Sequence, residues 1–179
     1  MSLRWLPNAI SILRIALISP ILIMIINGNF VWAIGLFLLA GFSDGIDGYL
    51  AKRFNWRTRL GALLDPVADK LLVITSLLLV LYDKNNIIIF TPICIIVLRE
   101  VLISALREWA ARENFKKPLD VNNFGKLKTL FQMFSIGFLL FNGTVFTIST
   151  YMIGLYGIYI AAFLSLVSMI IYLGNVIKS

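Results

Sequence analysis

Long apolar runs dominate this sequence and restrict the folds that it can adopt. A helix needs about 20 predominantly apolar residues to cross the hydrocarbon core of a bilayer. The chain contains six such candidate spans, at 8–27, 30–52, 60–82, 87–109, 125–146 and 150–175. Residues typical of turns lie between several of them: Asn27-Gly28-Asn29, Asp83-Lys84-Asn85-Asn86 and Asn142-Gly143. We therefore expect an all-α, polytopic membrane protein with six transmembrane helices in a single domain, residues 1–179.

The positions of the basic residues predict the orientation of these helices. The chain has 16 Lys and Arg against 9 Asp and Glu, a net charge of +7. If the N-terminus is cytoplasmic, the opposite side receives only Lys84, and the cytoplasmic side receives Arg4, Lys52, Arg53, Arg57, Arg59, Arg112, Lys116, Lys117, Lys126, Lys128 and Lys178. The positive-inside rule then predicts that both termini are cytoplasmic. We attribute the basic excess to topology and anionic lipid rather than to nucleic acid.

The N-terminal segment is predicted to be retained as a membrane helix. Arg14 and Pro20 interrupt its apolar run, and no small-residue cleavage site of a signal peptide follows. A short stretch at Ser2–Asn8 is expected to lie in the cytoplasmic interface before the first span.

The residue types that are missing exclude several chemistries. The chain has no histidine and one cysteine, Cys94. Histidine-based acid–base catalysis, Ser/His nucleophile systems, histidine zinc sites and an intrachain disulfide are therefore excluded. Cys94 lies in an apolar run, where a cysteine is usually a small packing residue.

Four aspartates interrupt the apolar character of the second and third spans. Asp44 and Asp47 are three residues apart, and Asp65 and Asp69 are four apart, so each pair shares one helix face. The short loop between the spans makes the two helices antiparallel neighbours, and both pairs can point into one pocket near the cytoplasmic end. Unpaired, these charges would be costly in a membrane. Carboxylates without histidine or cysteine suit Mg²⁺ or Mn²⁺, and two divalent ions would neutralise all four.

Two further interpretations of this segment remain open. Gly45, Gly48 and Gly61 could let a ligand approach the metals, or they could permit close packing of helices. The aspartates could instead form a proton or sodium pathway, because acidic residues within membranes also build such relays.

The acidic segment matches a known pattern. It reads Asp44-x2-Asp47-Gly48-x2-Ala51-Lys52-x8-Gly61-x3-Asp65-x3-Asp69. This resembles the signature of the CDP-alcohol phosphotransferase family, D-x2-D-G-x2-A-R-x8-G-x3-D-x3-D. The one difference is Lys52 in place of arginine. Arg53 follows and keeps a positive charge there, but lysine cannot form the bidentate phosphate contact of arginine.

The resemblance implies a fold, a site and a reaction. The family has six transmembrane helices, usually in a homodimer, with a cavity open to the cytoplasm. The four aspartates would bind two divalent ions, and Asp69 would act as the general base. The donor, a CDP-linked lipid, would contact Asn8, Gly48, Lys52, Arg53, Thr58 and Gly61, with the diphosphate over the two glycines and the cytidine toward Asn8 and Thr58.

Three further segments resemble members of the family that use glycerol phosphate as the acceptor: Leu6–Arg14, Leu98–Glu113 and Gly125–Met133. The resemblance therefore implies CDP-diacylglycerol as the donor, sn-glycerol 3-phosphate as the acceptor and the bacterial inner membrane as the location, with the active site facing the cytoplasm. Other acceptors, such as inositol phosphate, serine or phosphatidylglycerol, remain alternatives. From another class, an ion-coupled transporter also remains open.

A phosphorylated acceptor requires fixed cations. The candidates are Arg99 and Arg107 in the fourth span and Lys126 and Lys128 at the start of the fifth. Alternatively, Arg99 could pair with Glu100, and Arg107 with Glu100 or Glu108. The two lysines could instead extend toward lipid head groups.

Overall fold

The computed structural model describes the backbone of residues 6–54, 59–113, 123–141 and 143–177. It also describes their side chains, except at 6, 7, 42, 44–53, 59, 62, 111, 112, 123–126 and 175–177. The described residues form six helices and one short hairpin: α1 Leu6–Ile26, α2 Phe30–Arg53, α3 Arg59–Lys84, α4 Ile87–Arg112, α5 Asn123–Leu140, β1 Thr144–Val145, β2 Ile148–Ser149 and α6 Thr150–Ile177. The predicted helical class is confirmed. The interfacial stretch Ser2–Asn8 lies mostly outside the described residues.

Long apolar helices identify the chain as a membrane protein. Within the described residues, three segments are long and apolar enough to cross a bilayer: Asn8–Ile26, Ile87–Ala110 and Thr150–Gly174. The apolar stretches Phe30–Gly41 and Leu127–Leu140 are shorter. Proline inside α1, α3 and α4 removes one backbone hydrogen bond from each, which membrane helices tolerate.

Two of the predicted turns are built from the expected residues. At the end of α1, Gly28 adopts φ 75°, its N–H donates to Ile25 O at 3.0 Å, and Asn29 N–H donates to Met24 O at 2.8 Å. This is the Schellman arrangement, which requires a residue in the left-handed region and favours glycine there. At the start of α4, the Asn86 side chain accepts a hydrogen bond from Ile88 N–H at 2.9 Å. The hydrogen bonds in both turns satisfy backbone groups that a helix end leaves unpaired.

The fifth span is shorter than the sequence indicated. The prediction extended it to residue 146, whereas α5 ends at Leu140 and residues 144–149 form the β1–β2 hairpin. Thr150 closes this hairpin, because its N–H donates to Gly143 O and its Oγ1 accepts from Gly143 N–H. The β-branched residues after Gly143 favour extended backbone, which explains the error.

The chain divides into two compact units. The first comprises residues 1–83 and 140–142 and contains α1, α2 and α3. In this unit α1 packs against α2. The buried residues of α2 recur at helical spacing, at Ala33, Phe37 and Ala40. Small residues at two of these three positions let the neighbouring backbone approach closely.

The second unit comprises residues 84–139 and 143–179, where α4 packs against α6. The helices α5 and α6 approach closely at Gly154. A Cβ atom placed there would lie 2.7 Å from Leu139 Cγ and 2.9 Å from Leu139 N. Only glycine fits that contact without a shift of the α5 backbone.

Candidate active site

The acidic motif lies in the second half of α2 and the first half of α3, the parts predicted to be nearest the cytoplasm. Both helices belong to the first unit. Asp44 and Asp47 lie on α2, three residues apart, and their side chains are outside the described residues. Asp65 and Asp69 lie one turn apart on α3. Within the described residues Asp65 is half-buried and Asp69 is exposed. The backbone thus gives each pair the shared helix face that the sequence predicted.

Ser11 of α1 contacts the acidic face of α3. Its side chain is fully buried, and its hydroxyl donates a hydrogen bond to Asp65 Oδ1. The sequence analysis missed this residue. A serine three residues before an arginine, inside a long apolar run, is the signal that could have identified it, because such a pair places two polar groups on one helix face.

Arg14, one turn further along α1, contacts α2. It is 1% exposed, and its Nε donates to Ser43 Oγ at 3.4 Å. Ser43 in turn donates to Ala40 O at 2.7 Å, so its lone pairs are available to accept from the guanidinium. Ser43 directly precedes Asp44, so the buried cation lies beside the turn of α2 that carries the first aspartate. The sequence analysis assigned no contact or role to Arg14.

The donor set of this region fits a hard divalent cation. The four motif positions supply carboxylate oxygens, and the chain has no histidine to compete with them. Among the described residues, no group of three or more His, Cys, Asp or Glu could hold a metal. The side chains of Asp44 and Asp47 lie outside the described residues, so the four-aspartate site stays a prediction.

The residues predicted to contact the donor are only partly described. Asn8 is half-buried and Gly61 is buried. The side chains of Lys52 and Arg53, the surroundings of Gly48 and the whole of Thr58 lie outside the described residues.

A network of buried charges lies in the second unit. Arg99 of α4 donates from Nη2 to Ser168 Oγ of α6 at 2.8 Å, and its Nη1 lies 3.5 Å from Glu100 Oε1. Lys128 of α5 forms an ion pair with the same Glu100 oxygen. One carboxylate thus holds two cations from two helices. This arrangement matches the predicted pairing of Arg99 with Glu100, and it places the Lys128 side chain, 4% exposed, inside the unit rather than along its surface.

Arg99 retains an unused donor. Its Nε is buried and has no hydrogen-bond partner within the described part of the chain. A buried N–H without an acceptor is costly, and an anionic ligand oxygen would satisfy it. Gln132 and Ser135 follow Lys128 at helical spacing on α5 and are also buried, so the face that carries Lys128 remains polar for two turns. Sequence reasoning missed both residues, because neither belongs to a charged pattern.

Arg107 lies two turns from Arg99 on α4. Its Cζ lies 5.8 Å from the centroid of the Tyr172 ring of α6, within the range of a cation–π contact. The side chain of Arg107 is exposed, whereas Tyr172 is 7% exposed. The side chain of Lys126, the fourth predicted cation, lies outside the described residues.

The described residues thus combine long apolar helices with a buried cation network, and the sequence adds an acidic motif. Comparison with known proteins gives the family. The family model described as CDP-alcohol phosphatidyltransferase matches residues 4–173. The chain belongs to this family.

Curated relatives match over most of their length. A protein of Wigglesworthia glossinidia brevipalpis is 37% identical over 172 residues, which cover 93% of this chain and 92% of the relative. One of Pseudomonas fluorescens is 38% identical over 173 residues, covering 94% and 88%. One of Haemophilus influenzae is 41% identical over 140 residues, covering 77% and 73%. All three are named CDP-diacylglycerol–glycerol-3-phosphate 3-phosphatidyltransferase.

Proposed function

We propose that this protein is an enzyme that transfers the phosphatidyl group from CDP-diacylglycerol to sn-glycerol 3-phosphate. The products are phosphatidylglycerophosphate and CMP, in the synthesis of anionic phospholipid. The observation that carries this conclusion is the similarity to relatives of that name across nearly the whole chain, 93% of it in one case. The acidic motif supports it, because every fixed position except 52 matches the family signature.

The donor is assigned to the acidic motif. Asp44, Asp47, Asp65 and Asp69 would hold two divalent ions, Mg²⁺ or Mn²⁺. Such ions neutralise clustered carboxylates and stabilise the charge that develops on a transferring phosphoryl group. The residues proposed to contact CDP-diacylglycerol are Asn8, Gly48, Lys52, Arg53, Thr58 and Gly61. Glycine at two of these positions leaves room for a diphosphate to approach the backbone.

Asp69 is the proposed general base. Its carboxylate would accept the proton of the C1 hydroxyl of glycerol phosphate. That oxygen then forms a bond to the β-phosphorus of the donor, and the bond between this phosphorus and the oxygen of CMP breaks. The exposure of Asp69 supports this role, because a base must reach the substrate hydroxyl. The absence of histidine from the chain also supports it, since no imidazole is present to act instead.

The acceptor phosphate is assigned to Arg99, Arg107, Lys126 and Lys128. Support comes from the buried Arg99 Nε, which lacks a protein acceptor in the described residues, and from the exposed position of Arg107. Charge-assisted hydrogen bonds from such groups are the strong contacts that a phosphate makes in proteins. Ser168 and Glu100 hold Arg99 in place, so the donor geometry exists before a ligand binds.

The membrane arrangement completes the proposal. The chain would form one domain of six membrane-spanning helices with both termini in the cytoplasm, in the bacterial inner membrane, with the active site on the cytoplasmic side. The distribution of basic residues supports this orientation. A homodimer is proposed from the resemblance to the family.

One experiment tests the activity. The purified protein is given CDP-diacylglycerol and Mg²⁺, and CMP release is measured with glycerol 3-phosphate, inositol phosphate, serine or phosphatidylglycerol as the acceptor. Release that requires glycerol 3-phosphate supports the proposal, and release with another acceptor identifies a sister enzyme. Ion transport into proteoliposomes without CMP formation would instead establish the transporter.

A further inference from the structure

One turn of α1 contacts both of the helices that carry the acidic motif. Ser11 and Arg14 are three residues apart and therefore share a face of α1. They are 0% and 1% exposed, the most buried polar side chains described in this helix. Ser11 contacts α3 at Asp65, and Arg14 contacts α2 at Ser43. This turn is therefore in a position to fix one acidic helix relative to the other.

We propose that Ser11 is a positioning residue that orients the carboxylate of Asp65 for divalent cation binding. The inference rests on the proposed function, because it takes Asp65 as a metal ligand. Ser11 itself touches neither substrate nor metal in this assignment. Its role is to hold the carboxylate of Asp65, which binds the metal.

The hydrogen bond accounts for the orientation. An ionised carboxylate has two oxygens and about four acceptor positions. Donation from Ser11 to Oδ1 occupies one position, restricts rotation of the Asp65 side chain and leaves Oδ2 available to a cation. Groups that hold metal ligands in this way change metal affinity or activity by about 10- to 100-fold when they are removed. Asp65 is half-buried, so water competes only partly for the same oxygen.

The contact of Arg14 with α2 fixes the turn of α1 that carries Ser11. A buried guanidinium must be compensated by polar partners, and Arg14 contacts Ser43 on α2, whose hydroxyl is fixed on Ala40 O. This contact holds the turn of α1 against α2, where α1 and α2 already pack together. Ser11 therefore acts from a fixed backbone position.

Mn²⁺ binding to the purified full-length protein in detergent tests the proposal directly. Free Mn²⁺ is measured by electron paramagnetic resonance, without substrate, for the parent protein and for Ser11→Ala. We expect the variant to bind Mn²⁺ about ten-fold or more weakly. Ser76→Ala is the matched control, because Ser76 is 1% exposed in the same unit and donates only within its own helix, to Leu72 O at 2.7 Å. It should bind as the parent does.

A second pair of variants keeps the test valid even if Ser11→Ala is unstable. Ser11→Thr and Ser11→Val are nearly equal in shape and differ by the hydroxyl. Threonine should retain Mn²⁺ affinity and valine should lose it. Excess Mn²⁺ should restore the kcat of the weaker variants, since the ligand is misoriented rather than missing.

The outcomes separate the two proposals. Equal Mn²⁺ affinity for threonine and valine at position 11, in a protein that binds Mn²⁺, would overturn the role of Ser11 and leave the proposed activity intact. A raised KM for CDP-diacylglycerol at unchanged Mn²⁺ affinity would overturn it too, and would indicate a direct donor contact. If the parent protein binds no Mn²⁺ and still releases CMP, the metal site and this inference both fail.

Discussion

Arg99 of α4 donates a hydrogen bond to Ser168 of α6 across 2.8 Å, and both side chains are buried. A guanidinium has five donors in a fixed plane, so one such bond sets the direction of the others. The other contact, with Glu100, leaves Nε without an acceptor among the described residues. The α4–α6 interface therefore fixes the orientation of the Arg99 guanidinium.

Ser168→Ala should raise the KM for glycerol 3-phosphate by about ten-fold or more, the equivalent of one hydrogen bond to a charged group, about 1.5–3 kcal/mol. The KM for CDP-diacylglycerol should change little. Steady-state kinetics of CMP release measure both. Ser165→Ala is the control on the same helix: Ser165 is equally buried, but its hydroxyl has no hydrogen-bond partner among the described residues. Equal kinetics of the two variants would argue against a role for the Arg99–Ser168 contact.

Glu100→Gln should destabilise the protein, because it leaves two buried cations without their shared carboxylate. Breaking a buried ion pair costs about 3–5 kcal/mol, and we expect the lower part of that range because the Glu100 side chain is 17% exposed. Thermal unfolding in detergent measures the change. Glu113→Gln, exposed at the end of α4, is the control and should unfold like the parent protein. Identical unfolding of both variants would contradict the structural role of this network.

Gly154→Ala should lower stability by about 1–3 kcal/mol, the usual cost of overpacking a filled interface. The new methyl group would meet the backbone nitrogen of Leu139, which cannot rotate away. A Cβ atom added at Gly137 would meet no atom within 4 Å. Gly137→Ala should therefore be neutral or stabilising by up to about 1 kcal/mol, since alanine favours helix. If the two substitutions rank in the opposite order by thermal unfolding, the close α5–α6 contact is wrong.

Asp69→Asn should abolish CMP release while the protein remains folded. An amide cannot accept the proton of the acceptor hydroxyl, and the exposed position means that the substitution costs little stability. Asp83→Asn, further along α3 and outside the motif, should retain turnover. Parent-level CMP release by the Asp69 variant, at an unchanged unfolding temperature, would refute the assignment of the base.

Removal of divalent cations with EDTA should stop turnover, and Mg²⁺ or Mn²⁺ should restore it. Four carboxylates in one motif need cations to offset their repulsion. Thermal unfolding should show the same dependence, with a higher unfolding temperature when metal is bound. Full activity in EDTA after dialysis would exclude the metal-dependent mechanism.

The sequence predicted the helices better than their ends. Apolar length identified all six, and the turn residues at Gly28 and Asn86 occupy the caps that their chemistry favours. The fifth span was overextended because residues after Gly143 are apolar enough for membrane yet pair as the β1–β2 hairpin. Hydropathy reports burial in lipid and does not distinguish a helix from a short strand.

In the candidate site, too, the sequence predicted some features and not others. The spacing of the four aspartates identified the motif, since positions three and four apart share a helix face whatever surrounds them. Partners from other helices were not predictable. Ser11 and Asp65 are 54 residues apart, and Arg99 and Ser168 are 69 apart. The spacing of Ser11 before Arg14 marks a polar face of α1 but does not identify its partner on α3, and Ser168 belongs to no pattern that marks it along the chain.

The sequence alone determined that this is a helical membrane protein with an acidic motif, because apolar length and residue spacing are properties of single helices. The tertiary structure decided which buried polar groups meet: Ser11 with Asp65, Arg14 with Ser43, and Glu100 with both Arg99 and Lys128. The physical reason is that a buried charge or hydroxyl must find a partner. Which partner it finds depends on the helices that pack beside it.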